Sequence, residues 1–345
     1  MENAPPAAPQ TVAPQTVGRP HTEQSPIETA LGNSIGLLVL PGRSLLALVP
    51  IWAVLCGACM AVRTTPAPNT SQALLALLLA IPIVGVLWST WRALLVDVDW
   101  HECFQRYPLP APRRLSGLPY ATPWSPLGRF VTRAGRFRRW SEQAPLEVRS
   151  AWYSLLVLPA LNLALSALAG WPLLVLSLAA LALSLIEWRV SRRSQRRGLR
   201  YEQISLQAGV QVGLGWLAGY TAFAPLTWAS VTLACCYAIA FQGALALALP
   251  TLHAERRSRA LGFFYLGQAA ALALLVVLDR SLSAALAAFL LAPQWLLLAT
   301  LGQESAPNHA ENAPQDTAQA PSKRYVQRAL PFCMLAMLAA AWAPL

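Results

Sequence analysis

Nine apolar stretches alternate with polar segments along the chain. Most of them are long enough for a helix to cross about 30 Å of hydrocarbon. Backbone polar groups in lipid must bond internally, and the period-two alternation of a membrane barrel is absent from the sequence, so the stretches are predicted to be helices. The predicted spans are residues 36–62, 72–95, 150–168, 170–188, 203–222, 225–250, 261–278, 281–301 and 329–345. The pattern therefore predicts an all-α integral membrane bundle of nine transmembrane helices.

The basic residues fall in every second gap between these spans. The basic gaps, predicted to be loops, are residues 96–149, 189–202, 251–260 and 302–328. They hold 21 of the 26 lysines and arginines, and the other gaps hold only Arg63 and Arg280. Because arginine-rich loops face the cytoplasm, the N-terminus is predicted to lie inside and the C-terminus outside. The chain is predicted to be a multi-pass protein of the inner (cytoplasmic) membrane.

Composition supports the same class. The chain is 56% hydrophobic and 12% charged, which disfavours a soluble domain. Its net charge of +11 follows the predicted topology and faces anionic headgroups, so nucleic acid is not expected as a partner. Residues 1–35, rich in Pro, Ala, Gln and Thr, are predicted to form a disordered cytoplasmic tail before a transmembrane domain over residues 36–345.

A few polar residues interrupt the spans. Arg92 and Glu187 stand near predicted cytoplasmic helix ends, where long side chains commonly reach the headgroup region. Gln207 and Gln211 are one helical turn apart and share a face. That face either lines a cavity or bonds to a neighbouring helix.

Two glycine pairs in the fifth span have the spacing that allows helices to approach closely. They are Gly209 with Gly213 and Gly215 with Gly219. Helix packing is the favoured interpretation. Room for a bulky lipid chain is the alternative.

Acidic residues cluster directly after the second span. Asp99 and Glu102 follow Asp97 and are three positions apart, so on a helix they point the same way. Such a pair suits a hard cation such as Mg²⁺, which takes oxygen ligands and bridges to phosphate. A solvated acidic helix end is the alternative.

The later basic gaps add a second polar group on the same predicted membrane face. After the sixth span, Glu255 stands among Arg256, Arg257 and Arg259, and Tyr201 follows the arginines of the gap 189–202. Together the gaps are suited to a basic pocket for a diphosphate whose tail enters the bundle. Anchoring by positive loops alone is the alternative.

The first acidic segment resembles a motif of the UbiA superfamily of intramembrane prenyltransferases. That family carries Asn-Asp-x-x-Asp-x-x-x-Asp after its second helix. In the best register Val98 stands at the Asn, Asp99 and Glu102 stand at the first two Asp positions, and Arg106 stands at the third. The resemblance covers most of residues 36–345.

The second acidic segment resembles the family's Asp-x-x-x-Asp motif, which follows the sixth helix and is often followed by Arg. Thr251 replaces the first Asp, and Glu255 with Arg256 matches the rest. A glycine and a Leu-Gly pair usually come next, and Gly262 and Leu266-Gly267 fit this pattern.

The resemblance implies transfer of an isoprenoid group from a prenyl diphosphate to a lipophilic acceptor that is aromatic, quinone-like or a tetrapyrrole. It implies that the catalytic carboxylates also hold Mg²⁺ and that basic and polar groups bind substrate. The implied catalytic and metal residues are Asp99, Glu102 and Glu255, and the implied substrate-binding residues are Arg106, Tyr201, Arg256, Gln207 and Gln211.

Two other classes of function are alternatives to this enzyme. A catalytically inactive relative would bind a lipid or pigment or scaffold a membrane complex, and the departures at Arg106 and Thr251 favour it. A small transporter is disfavoured, because the sequence has no internal repeat and no matched pair of broken spans.

Overall fold

Every regular element in the described part of the chain is a helix. The computed structural model describes residues 45–64, 74, 77–78, 81–108, 110–111, 125–195, 201–249, 254–304 and 321–342. The helices are α1 (Val49–Thr64), α2 (Pro82–Trp88 continued by Ser89–Val96), α3 (Trp100–Arg106), α4 (Pro126–Gln143), α5 (Leu146–Ala169), α6 (Trp171–Gln195), α7 (Tyr201–Ala208, Gly209–Leu214 and Gly215–Thr221), α8 (Trp228–Leu247), α9 (Ala254–Val277), α10 (Ser281–Glu304) and α11 (Pro321–Trp342). The all-α prediction is confirmed for these residues.

Length and composition allow six of these helices to cross a membrane, namely α5, α6, α8, α9, α10 and α11. The apolar helices α1 and α2 are shorter within the described ranges. The seventh helix is interrupted by a π-helical segment, Gly209–Leu214. Each predicted span overlaps one of these elements, and the chain has the character of a multi-pass membrane protein. The count of nine crossings and their orientation remain predictions.

Several helices continue beyond the apolar runs. The ninth helix begins at Ala254 and the eleventh at Pro321, before the predicted starts at 261 and 329, and α6 runs to Gln195, past the predicted end at 188. The gap 96–149 contains α3 and α4. Apolar runs mark only the hydrocarbon-embedded part of a helix, so the predicted loops were too long.

Glycines bring α1 and α7 into backbone contact. A Cβ on Gly57 would lie 1.9 Å from the Trp216 carbonyl oxygen, and a Cβ on Gly219 would lie 1.9 Å from that of Val54. The two helices run parallel, since position 215 faces 50 and 53 while position 219, one turn later, faces 54 and 58. The packing interpretation is confirmed for Gly219, whereas a Cβ on Gly209 would meet nothing within 4 Å.

A second glycine-mediated contact joins α8 and α9. A Cβ on Gly243 would lie 2.4 Å from the Phe264 amide nitrogen, and a Cβ on Gly267 would lie 2.4 Å from that of Ala240. This crossing is antiparallel, because position 243 faces 264 while 267 faces 240. Small residues replace the hydrophobic driving force that lipid cannot supply. Among the six candidate spans α8 is the most buried and α5 the least.

Helix directions place several segments at one end of the bundle, which we call the Asp99 end. The Trp88 indole donates to Asn162 Oδ1 and the Trp91 indole to the Leu155 carbonyl, so α2 and α5 are antiparallel and α5 begins where α2 ends. The contact between Arg92 and Glu187 brings the C-terminal part of α6 to the same end. The seventh helix follows α6 closely in the sequence and so begins at this end. The eighth helix runs back toward the same end, and α9 begins there too.

Candidate functional site

A buried ion pair joins α2 to α6 near the Asp99 end. Arg92 Nε lies 2.9 Å from Glu187 Oε2, and Nη2 lies 2.5 Å from Oε1. Arg92 is 6% exposed and Glu187 is fully buried. Two parallel N–H···O contacts of this kind fix both distance and orientation. The guanidinium also reaches toward Asp97, with 3.7 Å between Arg92 Nη1 and Asp97 Oδ2.

This pair corrects the interpretation of its members as side chains that reach the headgroup region. Neither side chain extends to the surface, because each satisfies the other inside the bundle. The sequence did contain a signal for this pair, because Arg92 and Glu187 have opposite charges and both lie near predicted cytoplasmic helix ends. Their separation of 95 positions hid the contact.

Asp99 is exposed and has a local structural role. Its carboxylate accepts the His101 amide hydrogen bond at 2.9 Å, and its carbonyl accepts one from Cys103. An aspartate in this position satisfies free amides at a helix start, so Asp99 acts as the N-cap of α3. Its side chain nevertheless stays exposed.

Glu255 is exposed on the first turn of α9 and pairs with Arg259, one turn further on. Its neighbour Arg256 is half-buried at the same end of the bundle. A carboxylate in the first helical turn is favoured by the helix dipole, which alone accounts for part of its placement.

Other predicted site residues lie partly or wholly outside the described structure. For Glu102, Arg106 and Tyr201 the backbone is helical, and their side chains lie outside the description. Thr251 lies outside the described residues altogether. The structure therefore brings Asp99, Arg256 and Glu255 to one end of the bundle.

Gln207 and Gln211 share a face of α7 as predicted. Gln207 Nε2 donates to Gln211 Oε1 at 3.3 Å, and both side chains are half-buried. Gln211 belongs to the π-helical segment, a type of distortion that occurs frequently at functional sites. Gly209, two positions from each glutamine, lies on roughly the opposite face of the helix, and a Cβ there would meet nothing within 4 Å.

The described carboxylates do not by themselves fit a magnesium site. Within the described ranges no three His, Cys, Asp or Glu side chains are grouped closely enough to hold a metal ion. Asp99 and Glu255 each already accept a hydrogen bond from a neighbour in their own segment. A full ligand set would need a further oxygen donor.

The opposite end of the bundle holds a buried cation to which the sequence pattern assigned no functional role. Arg280 directly precedes α10 and is 5% exposed. Its three guanidinium nitrogens have no hydrogen-bond partner among the described residues. Burial lowers the pKa of Arg280, and the nearby Tyr220 hydroxyl partly opposes this effect.

No protein-family model, curated protein or solved structure matches this chain. The Asp99 end carries exposed carboxylates and many arginines, and α7, with its Gln207 and Gln211 pair, begins there. This arrangement is suited to an anionic headgroup on a lipid tail.

Proposed function

We propose that this chain is a divergent UbiA-like prenyltransferase that transfers an isoprenoid group from a prenyl diphosphate to a lipophilic acceptor. The observation that supports it best is the common placement of the segments after the second and sixth spans. Asp99 and Glu255 are exposed at one end of the bundle, and Arg256 lies beside Glu255.

The proposed binding mode puts the charged and apolar parts of the substrate in different environments. Arg256 and the other arginines of the Asp99 end hold the diphosphate by charge-assisted hydrogen bonds. The isoprenoid tail runs along the face of α7 that carries Gln207 and Gln211.

The proposed reaction breaks the C–O bond between the allylic carbon and the diphosphate, and both electrons leave with the diphosphate. A nucleophilic atom of the acceptor then bonds to the allylic cation and loses a proton. The arginines stabilise the charge that develops on the leaving group. Mg²⁺ would further neutralise that charge, but Asp99 and Glu255 could hold it only together with Glu102 as an additional ligand.

A release assay tests the transferase directly. The full-length chain in lipid nanodiscs is given radiolabelled geranylgeranyl diphosphate and a membrane extract as acceptor, with Mg²⁺ or with a chelator. We expect release of diphosphate and labelled lipophilic product. Glu255→Gln is expected to remove most of the turnover, and Arg256→Gln is expected to raise KM for the diphosphate about 10- to 100-fold.

The chain offers a matched control for Glu255. Glu142 on α4 pairs with Arg138 four residues away and is exposed, like Glu255 with Arg259. Glu142→Gln removes an equivalent pair and is expected to leave turnover unchanged. For the first motif, Asp99→Asn removes the charge while keeping an N-cap residue, so a loss of turnover would not reflect unfolding of α3.

One observation favours the second candidate, an inactive relative that binds an isoprenoid lipid. Both described carboxylates are engaged by neighbours in their own segments. Measuring both binding and release of the labelled prenyl diphosphate in the same nanodiscs separates the two functions. Saturable binding of the prenyl diphosphate without any release, equal with Mg²⁺ and with chelator, would contradict the transferase and favour the binding protein.

A further inference from the structure

The helix α4 is strongly basic and belongs to no predicted span. Its 18 residues include Arg129, Arg133, Arg136, Arg138 and Arg139 against a single acid, Glu142. The helix is well defined at its start, because the Ser125 hydroxyl accepts the Gly128 amide hydrogen bond at 2.9 Å and Pro126 stands in the first turn.

The C-terminal half of α4 is fixed to the bundle by aromatic residues. Trp140 is buried, and its indole donates to the Tyr107 carbonyl at 2.8 Å. Phe137 stacks on Trp152 of α5, with 5.0 Å between ring centroids. Midway along the helix, Arg136 Nε donates to the Pro110 carbonyl at 3.0 Å. The helix therefore cannot swing freely away from the bundle.

The connection to α5 places α4 at the level of the membrane surface. Only Ala144 and Pro145 separate the two helices, and both have extended backbone. The candidate membrane span in α5 starts at Val148. Because two residues bridge only about 7 Å, the end of α4 lies close to where α5 enters the hydrocarbon.

The N-terminal half of α4 exposes apolar and basic side chains together. Phe130 is 70% exposed and Leu127 is 58% exposed, and their i, i+3 spacing puts them on one face. Arg129 and Arg133 are also exposed and are one turn apart. A helix with apolar residues on one side and arginines beside them is typical of helices that lie in the headgroup region.

We propose that the N-terminal half of α4 docks on anionic lipid headgroups at the Asp99 end of the bundle. Leu127 and Phe130 enter the boundary between headgroups and acyl chains. Arg129 and Arg133 contact lipid phosphates. Charge complementarity favours anionic lipid as the occupant, because this helix carries five arginines and only one glutamate. Each basic residue near an anionic surface adds to the attraction.

Hydrogen exchange of residues 126–134 tests the docking. The full-length chain is placed in nanodiscs of phosphatidylcholine alone or of phosphatidylcholine with phosphatidylglycerol. We expect slower exchange in the anionic nanodiscs, reversed by high salt because screening weakens the contact. Arg129→Gln with Arg133→Gln is expected to weaken docking by about 30-fold. The control, Lys323→Gln with Arg324→Gln, removes equal charge from α11 and should leave exchange in α4 unchanged.

Three results would overturn the proposal. The first is equal exchange in both nanodisc types, unaffected by the arginine variant. The second is equal protection in both types that is lost in Phe130→Ser, which would show apolar docking without headgroup selection. The third is protection by an RNA oligonucleotide in detergent that matches the protection by anionic lipid, which would assign the basic face to nucleic acid.

Discussion

Two buried arginines at opposite ends of the bundle differ in how their charge is compensated. Arg92 and Arg280 are 6% and 5% exposed, so burial does not distinguish them. Arg92 has the Glu187 carboxylate within 2.5 Å, whereas the Arg280 guanidinium has no hydrogen-bond partner in the described ranges. Arginine keeps its proton in proteins, so each must bear its charge inside. Burial alone therefore does not show whether a charged side chain is compensated by an ionic partner.

Breaking the pair at Arg92 gives the largest predicted effect. Glu187→Leu leaves an uncompensated buried guanidinium and is expected to cost about 3–5 kcal/mol of unfolding free energy. Replacing both partners, with Arg92→Leu and Glu187→Leu, is expected to be nearly neutral, because the charge and its partner leave together. Thermal unfolding in detergent, followed by tryptophan fluorescence, measures both variants. Equal losses in the single and double variants would contradict the pairing as the source of stability.

Arg280 is expected to respond in the opposite direction. Arg280→Leu removes a buried charge that has no described partner, and unfolding free energy is expected to rise by about 1–3 kcal/mol. The same unfolding assay measures it, with Arg63→Leu as a control because Arg63 is exposed at the same end. If Arg280→Leu destabilises the protein as strongly as Glu187→Leu, a partner of comparable strength is contributed from outside the described residues.

Asp97 gives the smallest predicted effect and sharpens the role of Glu187. Its side chain is 48% exposed and its carboxylate lies 3.7 Å from Arg92 Nη1. Burial raises the pKa of Asp97, and the attraction of Arg92 only partly lowers it. Asp97→Asn is therefore expected to change unfolding free energy by less than about 1 kcal/mol. A larger loss would show that the carboxylate shares the function of Glu187.

The raised pKa of Asp97 also predicts a pH dependence. A carboxyl group whose folded pKa lies above its unfolded value loses stability as the pH rises through the interval between the two. The unfolding free energy of the parent protein should thus fall relative to Asp97→Asn as the pH rises from the ordinary carboxyl range. Parallel curves for the two proteins would contradict this shift.

The sequence predicted the positions of the apolar helices well, because hydrocarbon imposes a strong requirement on composition. Helix ends were predicted poorly, since residues such as Arg256 and Lys323 are helical but too polar to belong to an apolar run. The helices α3 and α4 were missed for the same reason.

The candidate site was predicted less completely than the spans. The ion pair of Glu255 with Arg259 follows from i, i+4 spacing and was within reach of the sequence. The partner of Arg92 was not, because a contact over 95 positions depends on how α2 meets α6. The glycines illustrate the same limit. Equal spacing in the pairs of α7 led to close packing at Gly219 and to open space at Gly209.

The contact between α1 and α7 has a consequence for biosynthesis. The groove around Gly57 fits the backbone of a helix that the ribosome makes only after α2 through α6. The first helix is therefore synthesised well before α7, and it lacks this contact while the intervening helices are made. The close contact of α1 with α7 is thus a late event in translation, because it cannot form before Gly219 has been synthesised.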